Sequence, residues 1–332
     1  MRKRKTIRNT LFISSIPLLF FPILTSCGNN SDIEKKEHIQ TNTRLIGHRG
    51  LPTKEDVLEN TIPSWIAAGE DDRYWGIETD VYPTNSLLEP DHKSKLVCAH
   101  DSTPFRDTEG NRLCDKHIVE MSFKECLSYP LMHSYGYPRT VDGLFAHGYD
   151  KEKSTFIPKF TDYLDVCLEY KKVACIEIKC EHPWNDPNSD WTQESVATLM
   201  NQIFQYSSKG LNYVLLDFDC ELLQYIRNTY SDIIPMQVLY DQNADPETWG
   251  NLKWLAEHNW SVDIGDCDDK TTLDWGIHIT KDIVDLFHSK GLQVNTWIID
   301  YYDEYEYLDN INSKHLQIIK VALFYIFLLY IL

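Results

Sequence analysis

Four short pieces between Leu45 and Asp101 hold the residue types needed for acid–base and metal chemistry. They read Leu-Ile-Gly-His-Arg-Gly (45–50), Glu-Asn-Thr (59–61), Gly-Ile-Glu-Thr-Asp-Val (76–81) and Leu-Val-Cys-Ala-His-Asp (96–101). Glu78 and Asp80 stand two apart in an apolar run, so on a strand both project from one face. Two carboxylates ~4 Å apart repel by roughly 4 kcal/mol at an effective dielectric of ~20. A cation between them removes that cost. His48 and His100 each close an apolar run beside a turn. With an ordinary pKa of about 6.5, one imidazole can take a proton while the other gives one.

The elements that must position these groups are short strands ending at one rim of a sheet. After the first strand, Glu59 to Gly69 reads as a helix with polar residues at its start and glycine at its close. The strand Ile77–Tyr82 follows. Residues 83–95 are too polar and proline-broken for a crossover helix, so they predict a long hairpin that sets His100 across from Glu78 and Asp80. Residues 102–155 are irregular and rich in Tyr, His, Gly and Pro, with a short helix at Ser122–Leu127. A segment of that length predicts a lid or substrate-binding insert. Its histidines, His117, His133 and His147, read as surface or aromatic-packed residues.

Regular alternation then resumes. Helices are expected at Phe160–Tyr170, Gln193–Tyr206, Cys220–Thr229, Pro246–Glu257 and Lys281–Ser289, and strands at Val173–Lys179, Tyr213–Phe218, Ile234–Leu239, Ser261–Ile264 and Leu292–Ile299. Repeated strand–helix units without a glycine-rich dinucleotide loop predict an α/β chain folded as a (β/α)8 TIM barrel rather than a doubly wound sheet. In such a barrel the site lies at the C-terminal strand ends.

The chain has 332 residues, 50 acidic against 32 basic, for a net charge of −18. That surface repels nucleic acid and anionic headgroups, so nucleic acid is excluded as a partner and a phosphate-bearing substrate must meet a local cation or a few fixed basic groups. Residues 1–27 read as a lipoprotein signal peptide: a basic start, an apolar run from Leu11 to Leu24, then Leu24-Thr25-Ser26-Cys27, with Cys27 lipidated. An uncleaved membrane anchor is the rival reading. Residues 28–43 form a polar tether, 44–311 the barrel with its insert at about 102–155, and 312–332 an atypical apolar tail. Cys27 places the domain at the cell membrane, lipid-anchored on its extracellular face. The other cysteines have no zinc spacing and read as structural thiols. Nothing in the sequence speaks to oligomeric state.

His48-Arg49-Gly50, Glu59-Asn60-Thr61, Glu78-x-Asp80-Val81, His100-Asp101, Ile157-Pro158 before a helix, Glu177-x-Lys179 and a late Trp297 occur in this order. That ordered set, over about residues 45–300, resembles the glycerophosphodiester phosphodiesterase family. The resemblance implies a barrel that hydrolyses small-molecule glycerophosphodiesters to glycerol 3-phosphate and an alcohol. It implies that Glu78, Asp80 and Glu177 bind one divalent cation, Mg2+ or Ca2+, and all-oxygen ligands suit those hard ions. It assigns His48 and His100 to acid–base catalysis, Arg49 and Lys179 to the phosphate, and Trp297 to a wall of the alcohol or glycerol pocket. By analogy with phospholipase C enzymes, a substrate hydroxyl attacks first and gives a cyclic phosphate that water opens. Glu59 and Asn60 stand equally for helix caps or substrate contacts.

Several positions depart from the family pattern. Asn85 replaces an Asp near the turn, Asp217-Phe218 replaces Ser-Phe, and Ile298 replaces the Thr after the late Trp. The usual closing segment Gly-Val-Asp-Gly-Ile-x-Thr-Asp-Tyr-Pro is missing after Asp300, so the barrel is expected to be incomplete at its C-terminal end. The apolar tail stands as a substitute for that segment, a second membrane contact or the product of a truncated reading frame. Two other functions fit the same residues: a phospholipase C- or D-like enzyme acting on intact lipid, and a non-catalytic surface lipoprotein that keeps the barrel.

Overall fold

A computed structural model of the chain describes residues 44–52, 57–106, 111–131, 156–240, 249–265, 279–299 and 319–321; of 249, 297–299 and 319–321 it describes the backbone alone. All of these fall in one compact unit, Thr41–Leu332; the other unit, Met1–Gln40, lies outside the described residues, and with it the leader, Cys27 and most of the tether.

The strands are β1 (Leu45–Gly47), β2 (Tyr74–Pro83), β3 (Leu96–Cys98), β4 (Val173–Ile178), β5 (Tyr213–Asp217), β6 (Met236–Tyr240), β7 (Ser261–Gly265), β8 (Val294–Ile299) and β9 (Ile319–Val321). The helices are α1 (Ile62–Gly69), α2 (Phe123–Cys126), α3 (Phe160–Glu169), α4 (Gln193–Ser207), α5 (Cys220–Thr229), α6 (Trp249–Glu257) and α7 (Lys281–Ser289). All strands but β3 run parallel, in the order β1, β2, β4, β5, β6, β7, β8, β9, and β9 pairs with β1. Ile319–Val321, from the apolar tail, thus occupies the place of the missing closing segment. That last strand is only three residues long, its pairing with β8 is irregular, and residues 300–318 lie outside the described residues. No helix among the described residues is long and apolar enough to cross a membrane.

The predicted hairpin is present. β3 lies antiparallel on the end of β2, with Val81 opposite Cys98 and Pro83 opposite Leu96, and Asn85 caps a 3-10 turn at Ser86–Leu88 by accepting from the Leu87 N–H at 3.0 Å. The helix after β1 starts later than the sequence suggests. Its N-cap is Thr61, whose N–H donates to Ser64 Oγ at 3.2 Å, and Pro63 lies in the first turn. Neither Glu59 nor Asn60 is its cap. Within the insert, α2 appears with Ser122 as its cap, accepting from the Glu125 N–H. Residues 132–155, including His133 and His147, lie outside the described residues.

Side chains sort by strand alternation. One large apolar cluster fills the space between strands and helices, with Trp65, Phe160, Tyr163, Leu199, Leu223 and Phe287 fully buried. A smaller cluster inside the ring holds Ile46, Val173, Cys175, Val214, Leu216 and Leu239. Parallel register sets Gly76, Glu78 and Asp80 of β2 beside Val173, Cys175 and Glu177 of β4. The inward row of β4 therefore climbs from an apolar floor to a carboxylate at the rim. Gly76 lacks a side chain because a Cβ there would stand 3.1 Å from both Cys175 Sγ and the Val173 carbonyl. The described cysteines are free thiols, and Cys98, Cys126, Cys167 and Cys175 are buried.

Candidate active site

The turn after β1 is held open by backbone that few residues tolerate. Arg49 and Asn60 adopt positive φ, at 54° and 53°, and Gly50 lies at 87°. A Cβ at Gly50 would stand 2.6 Å from Ser64 atoms, so only glycine lets the turn close against α1. The turn aims the Arg49 backbone N–H at Glu78 Oε2, 2.7 Å away, and sets His48 Nε2 at 3.9 Å from the same oxygen.

Glu78, Asp80 and Glu177 offer carboxylate oxygens that all lie within 4.8 Å of one another, and all three residues are buried. That spacing is within reach of two oxygens on one ion with bonds of about 2.3–2.6 Å. Asn60 orients Asp80: its Nδ2 donates to Asp80 Oδ2 at 2.7 Å, and its Oδ1 accepts from Thr79 Oγ1 at 2.7 Å and the Asp80 N–H at 3.2 Å. Asp80 Oδ1 is buried and accepts no hydrogen bond from a described residue.

Two fixed cations lean on this cluster. Arg49 Nη1 donates to both oxygens of Glu59, at 3.0 and 3.1 Å, and Arg49 Nε lies 3.4 Å from Asp80 Oδ2. Lys179 Nζ donates to Glu177 Oε1 at 2.8 Å and lies 3.5 Å from Asp80 Oδ1. Burial works against a charged Lys179, but Glu177 and Asp80 outweigh it and raise its pKa. Burial likewise opposes an ionised Asp80, and Lys179, then His100 and Arg49, overcome it and hold the carboxyl well below the usual range. Among the described residues, the four carboxylates Glu59, Glu78, Asp80 and Glu177 thus face the two cations Arg49 and Lys179. Carboxylates outnumber cations in this group, which favours one divalent cation. The residues fit such an ion in donor type, spacing and charge.

His100 follows β3, where the hairpin brings the Ala99 N–H to the Asp80 carbonyl at 3.1 Å. Its Nδ1 lies 3.0 Å from Asp101 Oδ1. An ionised carboxylate only accepts, so in this pairing Nδ1 carries the proton. His100 and Lys179 line a cavity of about 460 Å³ that continues past Tyr82 to Arg106 and Arg112 in the insert. Trp297 lies on β8 with its backbone opposite Gly265, and its side chain is outside the described residues.

The structure therefore brings together His48, Arg49, Glu78, Asp80, Glu177 and Lys179, with His100 beside them. Three features escape a reading of the sequence. Asn60 and Glu59 steady the cluster rather than cap a helix. His117, read as a surface residue, shares Ser102 Oγ with Glu181, its Nδ1 at 2.8 Å from the hydroxyl. Asp217, at the departure from Ser-Phe, is buried at the end of β5 with Oδ1 accepting from the Asp219 N–H at 2.9 Å, and burial pushes its carboxyl well above the usual range.

A protein-family model, that of the glycerophosphoryl diester phosphodiesterase family, matches residues 48–315. No curated protein matches. Solved structures do, at identities that speak for the fold alone. A protein from Silicibacter pomeroyi, titled as a proposed glycerophosphoryl diester phosphodiesterase, is 20% identical over 85% of this chain and 90% of its own, with a TM-score of 0.61. An Oleispira antarctica phosphodiesterase, solved in complex with the product sn-glycerol-3-phosphate, is 17% identical over 84% of this chain and 92% of its own, at 0.58. A glycerophosphodiester phosphodiesterase from Parabacteroides distasonis is 18% identical over 85% and 93%, at 0.57.

Proposed function

This chain belongs to the glycerophosphoryl diester phosphodiesterase family, a family of phosphoric diester hydrolases, and from that premise we propose that it hydrolyses glycerophosphodiesters to glycerol 3-phosphate and an alcohol in a cation-dependent reaction. The observation that carries the reading is the trio Glu78, Asp80 and Glu177, three buried carboxylates with oxygens within 4.8 Å of one another, adjoined by a histidine and a lysine that open into one cavity.

Glu78, Asp80 and Glu177 would hold Mg2+ or Ca2+, which when bound draws charge from a phosphoryl oxygen. Lys179, locked between Glu177 and Asp80, keeps its charge and faces the cavity, where it offsets the negative charge that builds on the phosphoryl oxygens. Arg49 adds a second fixed charge behind Asp80. Of His48 and His100, one takes the proton from an attacking glycerol hydroxyl and the other gives one to the departing alcohol oxygen as the P–O bond breaks. Water then opens the cyclic phosphate with the two roles exchanged. On the family resemblance, Trp297 is assigned to the alcohol or glycerol pocket.

The direct test is release of glycerol 3-phosphate from glycerophosphocholine by purified protein with Mg2+ or Ca2+. Turnover that stops with chelator and returns with cation is expected. Absence of release with either cation would refute the reading.

The reaction is further proposed to take place outside the cell membrane, with the protein anchored through lipid on Cys27. Support comes from the basic and apolar leader ending in Leu24-Thr25-Ser26-Cys27. Labelling with a radioactive fatty acid should mark the parent and spare Cys27→Ala; label on both would rule out this anchor.

A further inference from the structure

Arg106 and Arg112 sit opposite each other in an isolated antiparallel bridge, and both line the cavity that His100 and Lys179 open into. Directly opposed residues carry their Cβ atoms about 4.5–5.5 Å apart on one face, where like charges repel. Among the described residues, the contacts of the pair are few. Arg106 Nη1 donates to the Thr103 carbonyl at 2.5 Å and the Phe105 carbonyl at 3.1 Å, contacts that position the guanidinium without neutralising it. Arg112 meets Asp115 at 3.8 Å, and that carboxylate is 95% exposed. Burial and then Arg112 lower the pKa of Arg106, while Asp101 raises it. In a chain with 50 acidic and 32 basic residues, carboxylates to separate two guanidiniums are abundant, yet this pair lies side by side in a cavity wall.

The pair is separate from the groups that answer the scissile phosphate. Arg49 and Lys179 are held against Asp80, Glu59 and Glu177 on the barrel strands and their rim. Arg106 and Arg112 belong to the insert beyond β3, past His100. A phosphodiester carries one negative charge, already met at the rim. A second anionic group farther along the substrate would lie between the two guanidiniums and relieve their repulsion, each fork offering paired N–H donors to a planar or tetrahedral oxyanion.

We propose that Arg106 and Arg112 form a subsite for a second anion, a carboxylate or phosphate, on the alcohol half of the substrate. This rests on the phosphodiesterase reading above and narrows its substrate class to diesters of anion-bearing alcohols.

The test compares two diesters that differ by one carboxylate, sn-glycero-3-phosphoserine and sn-glycero-3-phosphoethanolamine, with the full chain and saturating cation. The expected kcat/KM is about 10- to 100-fold higher for the serine ester, the size of one charge-assisted contact, and the gain lies in KM. Arg112→Gln should erase most of that preference, and Arg112→Lys, which keeps the charge but loses the fork, should retain part of it. The Arg112 side chain is 49% exposed, so its replacement leaves no cavity. Arg106→Gln also loses two carbonyl contacts, so it is read beside its melting temperature. Equal kcat/KM for the two esters, or a preference that survives both glutamine variants, overturns the subsite and leaves the hydrolytic function standing. Turnover of neither ester overturns the function and the subsite together.

Discussion

Chelator is expected to abolish turnover and also to lower the melting temperature, and Glu78→Gln is expected to remove the dependence of both on added cation. Without an ion, three carboxylates are gathered within 4.8 Å; among the described residues Lys179 and Arg49 lean on them, and Arg49 is shared with Glu59. At ~4 Å and an effective dielectric of ~20, each pair repels by roughly 4 kcal/mol before the counter-charges are included. A cation at about 100 times its dissociation constant stabilises the folded state by about 2.7 kcal/mol. For a barrel of this size that is a rise of roughly 4–5 °C.

Glutamine at position 78 can still accept from the Arg49 N–H, so the turn after β1 survives, while the charge that attracts the ion is reduced. The loss in metal affinity should exceed the ~10–100-fold typical of residues one step removed from an ion. In chelator, the variant should melt at or above the parent, because one of the mutually repelling charges is gone. With cation, only the parent should rise. A parent whose melting temperature ignores both chelator and cation would show that the trio is a structural charge network rather than an ion site.

Removal of either imidazole should be equally damaging to turnover and nearly silent in stability. His100→Ala and His48→Ala are each expected to lower kcat by about 10²–10⁴-fold, the usual worth of a positioned proton-transfer group. Their side chains are 19% and 11% exposed, at the rim rather than in the apolar clusters. The melting temperature and its response to cation should therefore stay close to the parent's. Imidazole added to the solution offers a further check, since partial rescue of His100→Ala would place the missing function in proton transfer. A loss of less than about tenfold in kcat would remove that histidine from the acid–base pair. The pairing of His100 with Asp101 also lets the two histidines be told apart. Asp101→Asn should weaken the His100 step alone, since an amide no longer holds the proton on Nδ1.

Much of this architecture follows from local order in the chain. A period of two placed Glu78 and Asp80 on one face, and proline and polar residues at 83–95 required a hairpin instead of a crossover. The helices expected at Cys220–Thr229 and Lys281–Ser289 match to the residue. These features depend on contacts between near neighbours, which the order of residues states directly. What lay beyond reach depends on partners far apart in the chain. Asn60 holds Asp80 because two rim segments meet, and Lys179 reaches Asp80 because β4 runs parallel to β2. Gln237, Asp263 and Asn295 look from their strands like surface polar residues, yet all three are buried, and the Asn295 amide donates to Gln237. The apolar tail left a substitute for the closing segment as one of three readings, and the pairing of Ile319–Val321 with β1 and β8 is the one the structure takes. Composition and spacing determined the kind of chemistry and the strands that deliver it. Register and closure of the sheet decided which charges meet, because Coulomb energy depends on distance in space and the chain order specifies distance only over a few residues.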